Sequence, residues 1–323
     1  MILASFFERF ITFNTVSGYI EVTLREYGIN MTKDGKNFIF ETPEGNVEMD
    51  LEEVRSFADS GNMDGQYAYG LSLVLGLETD VDGAKGYEYL EKAAGSGQPD
   101  AMLFLVKMFF SGDYIGIDAK KSVEYSQRAS DAGLHEAKMY LGTAYMDGMS
   151  VEQDYSKAAE LLKQAANAGF QEARNSLGFL YEEGLGVPKD KEKAFKLYGI
   201  AAKAGNINAM FRYAVCLEYG IGAEPDLIKA VEWYENGARE GDAFAMHRLG
   251  VLYSMNSPMV PEDPDKSFGW FLAGALQGFS DAMYAVGLCY KDGYGTERNL
   301  EESKKWVKLA EDGGYDISRY SSE

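Results

Sequence analysis

ARNSLGFLYEEGLGVPKDKEKAFKLYGIAAKAG, residues 173–205, decides the fold. In it Ala173, Leu177 and Tyr181 recur every four residues, the spacing of one helical face. Gly184 and Gly186 break that pattern, Asp190 has the chemistry of a helix N-cap, and a second apolar stretch closes on Ala201, Ala202 and Gly205. The stretch therefore predicts two helices joined by a glycine-rich loop. The closing glycine suits a chain that leaves its helix in the left-handed region.

Outward from there the phrase repeats. Gly61, Gly97, Gly133, Gly169, Gly205, Gly241, Gly278 and Gly313 follow one another at 36, 36, 36, 36, 36, 37 and 35 residues. Four residues after each of the first seven stands a small residue: Gly65, Ala101, Ala137, Ala173, Ala209, Ala245 or Ala282. Counting that residue as the first place, an apolar residue follows at the fifth (Leu105, Leu141, Leu177) and ninth (Phe109, Tyr145, Tyr181), and glycine recurs at the sixth (Gly70, Gly142, Gly178, Gly250, Gly287). Glycine inside a helix costs about 1 kcal/mol against alanine, so its return implies close approach to a partner helix. Asp82, Asp118, Asp154, Asp190, Asp226, Asp263 and Asn299 are the expected N-caps of the second helices. Those helices then carry Tyr89, Tyr125, Leu161, Leu197, Trp233, Trp270 and Trp306 in one slot, read as the core between repeats rather than a ligand box.

The pattern A-x-x-x-L-G-x-x-Y, G-x-G-V, D-x-x-K-A, A-A-x-x-G resembles the Sel1-like repeat, a relative of the tetratricopeptide repeat. Ala173, Leu177, Gly178, Tyr181, Gly184, Gly186, Val187, Asp190, Lys193, Ala194, Ala201, Ala202 and Gly205 carry a nearly complete copy. The resemblance implies a mainly α protein, a right-handed α-solenoid of seven helix-turn-helix repeats over residues 65–313. It also implies that the first helices line a concave surface and that the protein is an adaptor holding other proteins. The copies depart from the pattern in the first loop (LGLETDVDG), in the second repeat, which lacks the internal glycine, and in the proline-rich stretch Ser257 to Asp265 of the sixth.

Residues 1–49 do not follow the repeat. GYIEV (Gly18 to Val22) and KNFIFE (Lys36 to Glu41) read as strands, Lys33-Asp34-Gly35 and Pro43-Glu44-Gly45-Asn46 as turns, and Phe6, Phe7, Phe10 and Phe13 as a helix or arm. Residues 50–64 form half a repeat, opened by a capping box at Asp50 and Glu53. A solenoid needs a cap, so residues 1–64 are expected to supply one, with a second binding module as the alternative. Residues 314–323 form a polar tail.

Composition narrows the function. Against 31 Lys and Arg stand 51 Asp and Glu, a formal net charge of -20, which opposes nucleic acid and anionic membranes alike. No apolar run approaches a membrane span and no secretory leader is evident. Two cysteines argue against a disulfide framework and for the cytoplasm.

Chemistry finds no foothold. His135 and His247 lie about three repeats apart, roughly 30 Å, too far to share a metal or a triad. Cys216 and Cys289 lie two repeats apart, beyond the roughly 7 Å Cα limit for a disulfide. Glu78 to Gly83 imitates a calcium loop, but Tyr89 stands where its bidentate Glu is required. The Gly-x-Gly turns lack the third glycine of a dinucleotide site. No catalytic residue, metal or cofactor is expected.

What remains is a surface. If the first helices line a hollow, the open places hold Tyr67, Leu103, Met139, Asn175, Phe211, His247 and Tyr284 on one row and Leu71, Lys107, Phe179, Val215, Val251 and Leu288 on the next, with Phe110 and Met146 further along. Most are apolar, whereas a solvated face would be charged. Glu136, Glu172 and Glu182 add an acidic edge, so the expected partner is a protein or peptide, basic and with apolar anchors. Reversal of those three acids is expected to weaken capture and spare the fold. Alternatives are a secreted or surface-exposed effector with the same binding mode and, third, a hydrolase.

Overall fold

A computed structural model describes residues 30–32, 36–42, 45–112 and 116–316. The strand expected at Gly18 to Val22, the arm through Phe6 to Phe13, the Lys33 to Gly35 turn and most of the tail lie outside the described residues. Among these, three strands and fifteen helices form two compact units, Met1–Gln153 and Asp154–Glu323.

The first unit opens with an antiparallel sheet, β1 (Asn30–Met31), β2 (Phe38–Thr42) and β3 (Gly45–Met49), in that spatial order. Phe38 pairs with Met49, Phe40 with Val47 and Thr42 with Gly45, so Gly45 and Asn46 belong to the strand and not to the turn before it. Helices α1 (Leu51–Asp59), α2 (Met63–Leu75), α3 (Gly83–Gly95), α4 (Pro99–Ser111), α5 (Ala119–Asp131) and α6 (His135–Asp147) follow. The capping box is formed: Asp50 accepts from the Glu53 amide at 2.9 Å, and the Asp50 amide donates to Glu53 Oε2 at 3.0 Å. The sheet meets α1 through Phe40, edge-on to Phe57 with ring centroids 5.6 Å apart.

The second unit holds α7 (Tyr155–Asn167), α8 (Gln171–Glu183), α9 (Lys191–Lys203), α10 (Ile207–Tyr219), α11 (Leu227–Arg239), α12 (Ala243–Ser254), α13 (Pro264–Leu276), α14 (Ser280–Asp292) and α15 (Leu300–Asp312). Within each unit the first and second helices of a repeat pack as hairpins, and neighbouring hairpins pack on one another. The repeated stacking makes each unit an α-solenoid.

The joints follow the sequence with one revision. Gly61 through Gly278 take positive φ, Gly169 at 108°, but the last joint is Gly314 at φ 92°, while Gly313 is still right-handed. The final interval is therefore 36 residues, not 35. All seven expected caps bond the amide three residues on, as Asp190 does with Lys193 at 2.9 Å, or, for Asn299, two and three on. Asp82, in the calcium-like stretch, is one of them. The second glycine of each Gly-x-Gly turn packs on the preceding second helix: a Cβ at Gly186, Gly222 or Gly295 would overlap the carbonyl of Tyr155, Lys191 or Pro264.

The glycines inside the first helices do mark close approach. A Cβ at Gly178 would stand 2.7 Å from the Tyr198 ring, and one at Gly70 2.9 Å from Leu90. The side chains seated on Gly70, Gly178, Gly250 and Gly287, namely Leu90, Tyr198, Phe271 and Val307, sit one place later than the slot read from sequence, though Tyr89 and Tyr125 in that slot are buried as well. Trp233, Trp270 and Trp306 are half-buried at the edges of the cores between repeats. In the sixth repeat α12 ends without a left-handed glycine. Its proline-rich loop is held by Ser257 Oγ, which accepts from the amides of Met259 and Val260, both at 3.2 Å.

Candidate functional site

The row of first-helix residues expected to stay open divides sharply. In the first unit Tyr67 and Leu71 are 3% and 0% exposed, which removes both from any binding surface. α2 is buried on every side from Gly65 to Val74, and its apolar residues share a core with Phe38 of β2 and Val54 of α1. Leu103, Lys107, Met139 and Met146 are half-buried, and Phe110 is exposed, edge-on to Tyr140 with centroids 5.3 Å apart.

In the second unit Asn175, Phe179, Phe211, Val215, His247, Val251 and Tyr284 are half-buried, and Leu288 is 37% exposed. Partial exposure along four successive first helices follows from their place in the hairpin: the face of Gly178, Ala214, Gly250 and Gly287 meets the second helix, and the face turned away from it stays accessible.

The acidic edge is drawn inward. Glu136 pairs with Lys107 at 2.7 Å, Glu172 accepts from Asn206 Nδ2 at 3.3 Å, and Glu182 accepts from the Tyr198 hydroxyl at 2.8 Å. Of the three, only Glu172 stays exposed. Charge reversal at Glu182 would leave the Tyr198 hydroxyl without its acceptor.

Glu182 belongs to a motif that recurs 36 residues on. Tyr234 donates to Glu218 at 2.8 Å, and Arg248 Nε reaches the same carboxylate at 3.0 Å while its Nη2 reaches both Glu218 and the Tyr219 hydroxyl. Arg212, the counterpart of Arg248, instead lies over the ring of Phe179 at 5.0 Å and near that of Tyr198 at 5.9 Å. Burial, with carboxylates alongside, pushes the Tyr198 and Tyr234 hydroxyls well above the usual phenol range. The repetition of Glu182, Tyr198 and Arg212 as Glu218, Tyr234 and Arg248 was visible in the sequence and not used.

The second overlooked feature is aromatic. Phe244 in the first turn of α12 is 57% exposed and lies 5.9 Å from Phe211 and 4.6 Å from Phe279, ring to ring. His247 closes the group, 5.4 Å from Phe279 and 5.5 Å from the buried Phe271. Burial holds His247 below the ordinary imidazole range, with Asp281 opposing. A phenylalanine where five of the seven repeats carry an acid was the available clue.

Among the described residues no group of three or more His, Cys, Asp and Glu side chains could hold a metal ion, and no helix is long and apolar enough to cross a membrane. Cys216 and Cys289 are free and buried, and burial pushes their thiols up to about 12 and about 11. Neither carries the thiolate that nucleophilic chemistry needs.

Tandem helical hairpins with a partly apolar accessible face define an α-solenoid repeat protein. The Sel1 repeat model matches residues 64–98, 99–134, 135–170, 171–206, 207–242, 243–279 and 280–315, and the chain belongs to that family. Sel1 repeat proteins generally mediate protein–protein interaction and form a typically non-enzymatic scaffold family. The chain is similar to a crystal structure of a Sel1 repeat protein from Oxalobacter formigenes: 27% identity, TM-score 0.69, over 84% of this chain and 78% of that one. It is also similar to c5321, a protective antigen present in uropathogenic Escherichia coli strains and displaying an SLR fold. There the identity is 26% and the TM-score 0.68, over 93% of this chain but 62% of that one, so the chain spans less than two thirds of that protein's length. No curated protein matches the chain by sequence.

Proposed function

We propose that the protein is a non-enzymatic adaptor that holds a protein or peptide partner against the first helices of its second unit. The observation carrying this reading is the accessible apolar row there, with Phe211, Val215 and Val251 half-buried and Leu288 open. A solvated helix face without a partner is normally charged. The acidic balance of the chain favours a basic partner over nucleic acid or an anionic membrane. Two buried free thiols suit a reducing compartment, hence the cytoplasm. Similarity to a protective antigen of Escherichia coli supports a second location, secreted or surface-exposed, with the same binding mode.

The test is capture from native lysate by the tagged chain, read by mass spectrometry, beside Leu288→Asp. A partner held by the wild type and lost by at least about tenfold in the folded variant supports the reading. Equal capture by both places the partner elsewhere and overturns it. Turnover of acyl substrates would instead favour a hydrolase, and recovery of the protein from culture supernatant would decide for the effector location.

A further inference from the structure

Several aromatic rings on the first helices lie under a cation of the chain itself. Lys193 stands over Tyr181 at 4.0 Å, Lys266 over Tyr253 at 5.0 Å and Arg212 over Phe179 at 5.0 Å. The cluster of Phe211, Phe244 and Phe279 is the contrast: among the described residues no Lys or Arg of the chain lies over any of its rings. Arg248, beside His247 in α12, is turned to Glu218 and Tyr219. Yet Phe244 keeps 57% of its surface open, and the exposed Asp281 lies close enough to His247 to act on its charge. An exposed aromatic cluster with a carboxylate two residues beyond Phe279 is the complement of a cation.

We propose that Phe211, Phe244 and Phe279, with Asp281 in the first turn of the helix that Phe279 opens, seat the side chain of an arginine or lysine from a polypeptide partner. This rests on the protein-binding reading above and names its anchor. A second copy of the chain is a poor occupant, because two bodies of net charge -20 repel. An uncharged apolar anchor would use the rings but leave Asp281 unpartnered.

The experiment pans a random peptide display library on the full chain, then titrates the enriched synthetic peptides by calorimetry against wild type, Phe244→Tyr, Phe244→Leu, Asp281→Asn and Leu288→Asp. Far-UV circular dichroism checks each fold. Enriched peptides are expected to share one cationic position, and citrulline or norleucine there should abolish most binding. Phe244→Tyr keeps a π face and should bind within about twofold of wild type, whereas Phe244→Leu, apolar without a π face, should lose about three- to thirtyfold. Asp281→Asn should lose severalfold and flatten the salt dependence. Should Phe244→Leu fail to fold, the Asp281→Asn and citrulline arms decide alone. Peptides with no cationic requirement, or bound equally by Phe244→Leu, overturn the proposal. If such peptides are lost in Leu288→Asp, the adaptor reading survives that result. If no peptide binds the wild type at all, the arginine or lysine anchor falls, and capture from lysate alone decides the adaptor reading.

Discussion

Leu71 and Leu288 occupy the same place in the first helix of the first and the seventh repeat, yet one is wholly buried and the other 37% exposed. α2 shares its core with the sheet residue Phe38 and with Val54 of α1, while α14 leaves the face bearing Leu288 open. Place ten shows the same divergence: Val74 is core, whereas Glu218 binds Tyr234 and Arg248. A repeat supplies a hairpin; what a given position does is set by what packs beside it.

The contrast can be broken by mutation. Leu71→Ala removes a fully buried side chain and is expected to cost about 2–5 kcal/mol in chemical unfolding. A loss comparable to that of a surface leucine would show that α2 is not part of the core. Glu218→Ala should cost about 3 kcal/mol, because it leaves Arg248 and Tyr234 without their acceptor in a site where the Glu218 side chain is only 8% exposed. Glu182→Ala, which frees one hydroxyl, should cost about 1 kcal/mol. Equal losses at the two glutamates would remove the distinction between the two copies of the motif. Leu288→Ala should stay within about 0.5 kcal/mol, the range of a surface substitution.

The smallest effect is one of pH. His247 titrates below its ordinary value of 6.5 because burial disfavours the imidazolium. The unfolded chain therefore binds the proton first, and the stability that neutral His247 contributes is complete above about pH 6.5 and falls away as pH drops through the depressed folded value. Unfolding of wild type and His247→Gln, compared from about pH 7.5 to about pH 5, should show the wild type losing more. Parallel curves would mean that His247 is not buried among its rings.

Much of the fold was legible because its determinants are local. A left-handed joint such as Gly169, an aspartate bonding the amide three residues on, and a four-residue apolar spacing each involve neighbours in the chain. Where competing choices were adjacent in sequence, reading failed by one residue. Gly313 and Gly314 both suit a helix end, and Trp233 hid Tyr234 as the residue seated on the first helix, because hydrophobic spacing cannot tell a core edge from its centre. The candidate site was less legible still. Tyr67 and Leu71 carried the same pattern as Phe211 and Val215, and Phe244 stood in the row of acids.

From the sequence alone followed the number of repeats, their 36-residue period, the loops and the caps. Only the tertiary structure decided which apolar residues became core, which acids were committed to Tyr198, Lys107 or Arg248, and that Phe211, Phe244 and Phe279 gather with Phe244 exposed. Burial and ion pairing are sums over neighbours distant in the chain, and a periodic sequence offers every repeat the same neighbours until the ends and the individual side chains break the symmetry.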